Sequence, residues 1–261
     1  MRRRALCCRQ TTGRWRALPT TMGHMATTTT AIRRLDLGYF VRPAAEANGT
    51  EPRVEPALAH LVRHEQGLLL FDTGIGHADA ETEAHYRPRR RALPDALAAA
   101  GVTLDDISLV VNCHLHFDHC GGNPLLPGRP VLVQEAELAT ARAGGYTVDA
   151  LVDFPGVSYE ELAGEAEVWP GVWVVPTPGH TRGHQSLVVR LGDGTTAVLA
   201  GQAYDSASAF GHAQLARQAA LDGAGPPLPR HRPWLDRLAE FDPRRVFFAH
   251  DCSVWEPADS P

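Results

Sequence analysis

Apolar residues along this chain fall into short dense runs separated by Gly-, Pro- and Asp-rich turns. ALAHLVRH (57–64), a Glu-Gln-Gly turn and LLLF (68–71) read as a β-hairpin. RALPDALAAAG (91–101) reads as a helix with Gly101 at its C-terminal end. ISLVVN (107–112) is a buried strand, and VLVQ (131–134) is another, followed by a helix over 135–143. The second half repeats this grammar. VWVVPT (172–177) is a strand, and SLVVRL and TAVLA are strands joined by the Gly-Asp-Gly turn at 192–194. A helix follows from about 206 to 221, then the Pro-rich GAGPPLPRHRP, a second helix at 233–241 and a last strand, VFFA (246–249). Two strand-then-helix halves predict a layered α/β domain in which helices cover sheets. Nothing reads as a linker, so residues 31–261 are expected to form one domain.

Composition narrows the function classes. A chain of 261 residues with 44% apolar and 21% charged residues is ordinary for a globular protein with a substantial core. No apolar run approaches the roughly 20 residues of a membrane span. The net charge of −5 argues against a nucleic-acid partner, which calls for a basic face. All 25 basic residues are arginine, so chemistry that needs a lysine amine is excluded. Their wide scatter points to coding bias rather than to phosphate forks.

Five cysteines are too few and too odd in number for a disulfide scaffold, and they point to a reduced, cytoplasmic setting. Residues 1–30 carry six arginines and no acid, without the apolar core of a secretory signal. They read as a disordered extension or a misplaced start ahead of Met22 and Met25, with a transit peptide as the competing reading.

The chemistry concentrates in NCHLHFDHCGGN (112–123), directly after the strand ISLVVN. His114, His116, Asp118 and His119 lie within six positions at a strand's carboxyl end, where α/β folds often place ligands. Neutral imidazole and carboxylate are the usual ligands of zinc and its first-row neighbours. The glycines that follow permit close backbone approach. In TPGHTRGHQS (177–186), Pro178 and Gly179 break a strand and present His180 and His184; one is read as a ligand, the other as a scaffold residue. FDTGIG (71–76) ends a strand with Asp72, placed to accept a ring N–H from a ligand histidine or, more plainly, to cap a turn. FFAHD (247–251) puts His250 at the end of the last strand. Cys113 and Cys120 flank the first motif as packing residues or extra ligands.

These four segments, in this order, resemble the metallo-β-lactamase superfamily over roughly residues 35–255, and within it they are most similar to the N-acyl homoserine lactonase-like metallohydrolases. The resemblance implies a four-layered αβ/βα sandwich with a metal site along one edge of its two sheets. It implies that His114, His116 and His180 hold a first metal, and that Asp118, His119 and His250 hold a second. The ions are usually zinc, with one or two bound and Mn or Fe as alternatives. It further implies hydrolysis of a lactone or small ester by a metal-bound hydroxide, with Asp118 passing the proton to the leaving oxygen. A thioester hydrolase resembling glyoxalase II, or a non-catalytic metal-poor relative, are the competing readings. The expected partner is a small-molecule substrate, with homodimerisation an open option.

One position departs from the family. In LAGQAYD (199–205), the aspartate that bridges the two ions falls on Gln202. A substrate-binding tyrosine three residues later becomes Asp205, with Tyr204 one residue early. A glutamine offers one carbonyl oxygen and no charge. Three outcomes follow: a weak or missing second metal, two metals without a carboxylate bridge, or Asp205 swinging in as a substitute ligand.

Overall fold

The apolar runs are the strands of two mixed sheets in the computed structural model, which describes residues 29–47 and 49–258. The first sheet contains β1 (Ala31–Arg42), β2 (Arg53–His64), β3 (Gly67–Phe71), β4 (Arg89–Arg90), β5 (Ile107–Val111), β6 (Pro130–Gln134) and β7 (Ser158–Leu162). They lie side by side in the order β4-β1-β2-β3-β5-β6-β7. The second sheet contains β8 (Ala166–Trp169), β9 (Val172–Pro176), β10 (Gln185–Arg190), β11 (Thr196–Leu199) and β12 (Pro243–Phe247), in the order β12-β11-β10-β9-β8. The helices are α1 (Ala80–Tyr86), α2 (Leu93–Ala99), α3 (Glu135–Arg142), α4 (Asp149–Val152), α5 (Ala207–Leu221) and α6 (Trp234–Ala239).

Successive side chains of a strand point to opposite faces, and here both faces are covered. Leu69 and Phe71 of β3 and Leu109 and Val111 of β5 meet Val172, Val174, Leu187 and Val189 of the other sheet. The intervening Leu70 and Val110 pack with Leu93 and Leu97 of α2 and Leu138 of α3. On the far side, Val175, Val188 and Val198 meet Phe210 of α5 and Leu235 and Leu238 of α6. The layers therefore run helix, sheet, sheet, helix, the αβ/βα sandwich. Each fully buried Leu or Val contributes roughly 1.5–3 kcal/mol of transfer free energy.

Several boundaries move. The hairpin's first strand begins at Arg53, and His64 pairs with Gly67, which leaves Glu65 and Gln66 as the loop. The helix expected over 91–101 is Leu93–Ala99, with Gly101 beyond it at φ 73°. Ser206 caps α5 by accepting from Ala209 N. The last strand stops at Phe247, and Phe248–His250 leave the sheet. Strand β1 escapes the apolar-run pattern because its buried Leu35, Leu37 and Phe40 alternate with exposed residues; β7 and β8 are sheet edges carrying exposed acids. The reading of residues 1–28 as an extension lies outside the described residues.

Candidate metal centre

Strands β3 and β5 run parallel in one sheet, and β11 and β12 in the other. With β9, whose end leads into Thr177–His180, they bring five loops to one edge of the sandwich. Asp72 leaves β3 in the left-handed region at φ 62°, which aspartate tolerates better than most residues. Its Oδ1 accepts from Cys113 N at 2.8 Å, tying the first loop to the second. At Gly121 the loops touch backbone to backbone: an added Cβ would lie 1.8 Å from Gly76 N. Gly183 gives the same freedom where the His180 loop crosses the first turn of α3, since a Cβ there would lie 2.3 Å from Glu137 N.

Two triads of donor atoms result. His114 Nε2 lies 2.9 Å and His180 Nε2 3.1 Å from His116 Nδ1. Beside them, His119 Nε2 lies 3.0 Å from His250 Nε2, and Asp118 Oδ2 lies 3.5 and 3.4 Å from those two nitrogens. In each triad the three ligand atoms lie within 4.8 Å of one another. His184 stays out of both triads. Its Nε2 accepts from Gln202 N at 3.1 Å and its Nδ1 pairs with Thr177 Oγ1 at 2.8 Å, so it braces the loops.

The donors fit a cation on their chemistry. His250 Nδ1 faces the Pro56 carbonyl oxygen at 2.8 Å, and a carbonyl only accepts, so the proton sits on Nδ1 and Nε2 points inward with a lone pair. His119 Nδ1 faces Asp72 Oδ2 at 3.0 Å with the same consequence. The two Nε2 atoms face each other across 3.0 Å, a spacing met by a proton on His119 or by a cation shared between them. Ligand atoms about 2.05 Å from a tetrahedral ion would be about 3.3 Å apart, close to the spacings in both triads.

Electrostatics divides the groups. Burial, reinforced by the neighbouring imidazoles, pushes His114 well below its ordinary value and His180 down to about 3. Burial also lowers His116 and His250. His119 goes the other way: burial pulls it down, but Asp118 and Asp72 outweigh that and raise it. Burial pushes Asp118 up, yet the facing imidazoles of His119, His250 and His116 hold it below the usual carboxylate range.

A cavity of about 510 Å³ opens onto both triads, with His116, His180, Asp118 and Gln202 in its wall beside Phe40, Arg42, Tyr86, Phe117 and Tyr146. Gln202 is 5% exposed. Tyr204 does not line the cavity; its ring stacks edge-on with Phe210 and Trp234 in the core under α5. Asp205 pairs with Arg42 at 3.1 Å, and its carboxylate belongs to neither triad. Cys113 and Cys120 are buried free thiols, and Cys113 Sγ donates to Asp72 Oδ2 at 3.0 Å.

Two residues outside the motifs, Glu137 and Tyr146, support the centre. The Glu137 carboxylate is buried and accepts from Leu115 N at 2.8 Å, from Thr181 Oγ1 at 2.7 Å and from the Tyr146 hydroxyl. It thereby fastens the residue between His114 and His116 to the residue after His180. The Tyr146 ring packs on His116 with centroids 4.5 Å apart.

This layering, with a donor set suited to metal ions at the sheet edge, defines an αβ/βα domain with a candidate metal centre. A family model for the metallo-β-lactamase superfamily matches residues 52–250, and the chain belongs to that superfamily. An N-acyl homoserine lactonase of Bacillus sp. is 33% identical over 147 residues, covering 51% of this chain and 58% of that protein. The N-acyl homoserine lactonase AttM of Rhizobium radiobacter is 29% identical over 168 residues, covering 56% and 64%. The matched stretch thus spans less than two thirds of these relatives. Among solved structures, a quorum-quenching N-acyl homoserine lactone lactonase superposes with a TM-score of 0.65 at 25% identity, covering 87% of this chain and 93% of the other. AidC, a dizinc quorum-quenching lactonase, shares the fold at a TM-score of 0.59 and 16% identity, covering 90% and 99%. No helix among the described residues is long and apolar enough to cross a membrane.

Proposed function

We propose that the protein is a metal-dependent hydrolase that opens a lactone, with N-acyl homoserine lactones the substrate class of its relatives. The observation that carries this reading is the pair of inward-facing donor triads at the wall of one cavity. His114, His116 and His180 would hold one ion, and Asp118, His119 and His250 a second, with zinc the metal favoured by the imidazole-rich set. Bound there, such ions supply Lewis acidity toward a carbonyl and lower the pKa of water to about 7.

The chain's own groups do the rest. Asp72 and the Pro56 carbonyl orient two rings, Glu137 holds the loops that carry three more, and the aromatic wall excludes water. Asp118, ionised and open to the cavity, accepts the proton of the attacking water at its carboxylate and returns it to the leaving oxygen. Gln202 faces the same space with a neutral amide in place of the family's bridging carboxylate. The buried free thiols Cys113 and Cys120 support a reducing, cytoplasmic setting.

Elemental analysis of the purified protein and a pH-stat assay on a panel of lactones, thioesters and phosphodiesters test this together. Bound zinc with ring opening of a lactone is the expected result. Neither metal nor turnover after reconstitution with zinc or manganese would overturn it.

A further inference from the structure

Phe40 and Arg42 stand two residues apart on β1 and share the strand face that lines the cavity. Phe40 packs edge-on against the ring of His250 at 5.2 Å between centroids. Arg42 therefore hangs one strand step, about 7 Å, beyond a donor of the buried triad. Its guanidinium is held at a single corner: Nη1 donates to Asp205 Oδ1 at 3.1 Å and to Glu55 Oε1 at 3.4 Å. Among the described residues no hydrogen bond uses its Nε or Nη2. The side chain is only 13% exposed, and Glu55 and Asp205 keep the guanidinium charged while its remaining N–H groups are left to the cavity and its solvent.

Charge decides what those donors take. Asp205 and Glu55, the latter shared with Arg53 Nε at 2.6 Å, balance the guanidinium, and Glu46 and Asp79 line the same cavity. Beside Arg42 an anion would enter against these two carboxylates. A neutral carbonyl oxygen meets no such barrier and still receives a charge-assisted hydrogen bond. Beside it, Phe40, Tyr86 and Phe117 form a contiguous aromatic surface, with centroids 6.0 and 5.6 Å apart, suited to an apolar group attached to that carbonyl.

We propose that Arg42, braced by Asp205 and Glu55, binds a second, non-reacting carbonyl oxygen of the substrate and so selects acylated lactones over bare ones. This rests on the lactone-opening reading above. Arg42 is a specificity-determining residue, and its signature is a ratio rather than a rate.

The test measures kcat/KM of the zinc-loaded protein on an N-acyl homoserine lactone and on the unsubstituted five-membered lactone. In Arg42→Met the acylated-to-bare ratio is expected to fall about 10- to 100-fold, chiefly through KM, the weight of one charge-assisted hydrogen bond. Arg42→Lys, which keeps stem and charge, recovers part of the ratio, and Asp205→Asn lowers it by a smaller factor. If Arg42→Met and Arg42→Lys slow both lactones equally, the residue is only structural and the inference is overturned while the hydrolase reading stands. A wild type that opens neither lactone would instead sink the hydrolase reading and this inference with it.

Discussion

His114, His116 and His180 present three neutral imidazoles, one of them exposed to solvent, whereas Asp118, His119 and His250 combine a carboxylate with two rings that are 1% exposed. The first triad is shaped by loops fastened from behind through Glu137; the second by hydrogen bonds made directly on its rings, from Asp72 and the Pro56 carbonyl. The first is cheap to fold, since neutral rings lose little on burial. The second takes a charge out of water and needs opposite charge close by to repay it. The buried triad therefore depends more heavily on a bound cation, and it also faces the position where a glutamine stands for an aspartate.

Breaking the carboxylate gives the largest effect. Asp118→Asn keeps the shape but removes the proton carrier and one ligand charge. A loss of about 10²–10⁴-fold in kcat is expected, together with a fall in bound metal toward one ion per chain, measured by steady-state kinetics and elemental analysis. Full activity at unchanged stoichiometry would remove Asp118 from the mechanism.

Next is the support behind each triad. Glu137→Gln leaves an amide NH₂ facing Leu115 N, Thr181 Oγ1 or the Tyr146 hydroxyl, where only an acceptor suits the backbone N–H. Outer partners of metal ligands are typically worth 10–100-fold in affinity or activity. Equilibrium dialysis should therefore show Glu137→Gln weakening the first ion and Asp72→Asn the second. If each variant weakened both ions equally, the independence of the two supports would be lost.

The residues of the two donor triads are easier to pick out in the sequence than the residues that brace them. The spacing of HLHFDH after a strand end suggests convergence by itself, whereas only the family resemblance singles out His180 over His184, and His250, as ligands. Glu137 sits in EAEL on the first turn of α3, and nothing local separates it from the exposed Glu135 beside it. Its role comes from Thr181 and Leu115, 44 and 22 residues away, and only the fold brings them together. Arg42 and Asp205 are 163 residues apart and met the same limit. The continuous apolar strands were legible because both faces are buried. The edge strands β7 and β8, with no fully buried residue, were not, and neither was β1, because its alternation is short and interrupted at Gly38.

Acid separates His119 from the other ring donors by sign. In the metal-free protein, His114, His116, His180 and His250 titrate below the ordinary value of about 6.5. The unfolded chain then binds protons first as pH falls, so their contribution to stability is intact above about 6.5 and is lost below it. The raised His119 has the opposite sign: its contribution is present below about 6.5 and lost as pH rises through its folded value. His60 and His184 are lowered by burial as well, so six histidines oppose one, and the Tm of the metal-free protein should fall between pH 7 and pH 5. His180→Gln should flatten that slope, by an amount reduced because solvent reaches His180. His119→Gln should steepen it. Identical slopes in both variants would mean that His119 is not electrostatically distinct from the other ring donors.

The smallest effect on rate, and the sharpest on metal content, is expected from Gln202→Asp. The side chain is buried at the cavity wall, and its backbone N–H is already fixed by His184, so the substitution adds a charge and shortens the side chain by one methylene on an unchanged backbone. A unit charge about 4 Å from a cation is worth roughly 4 kcal/mol at an effective dielectric near 20, reduced by the cost of desolvating the new carboxylate. Affinity for the second ion should rise at least tenfold, read as a lower zinc concentration for half-occupancy in a chelator-buffered titration. Turnover at saturating metal should change by no more than about tenfold, because Asp118 and the cavity are untouched. Unchanged second-ion affinity would mean that the neutral amide costs the centre nothing, and the contrast between the triads would then rest on burial alone.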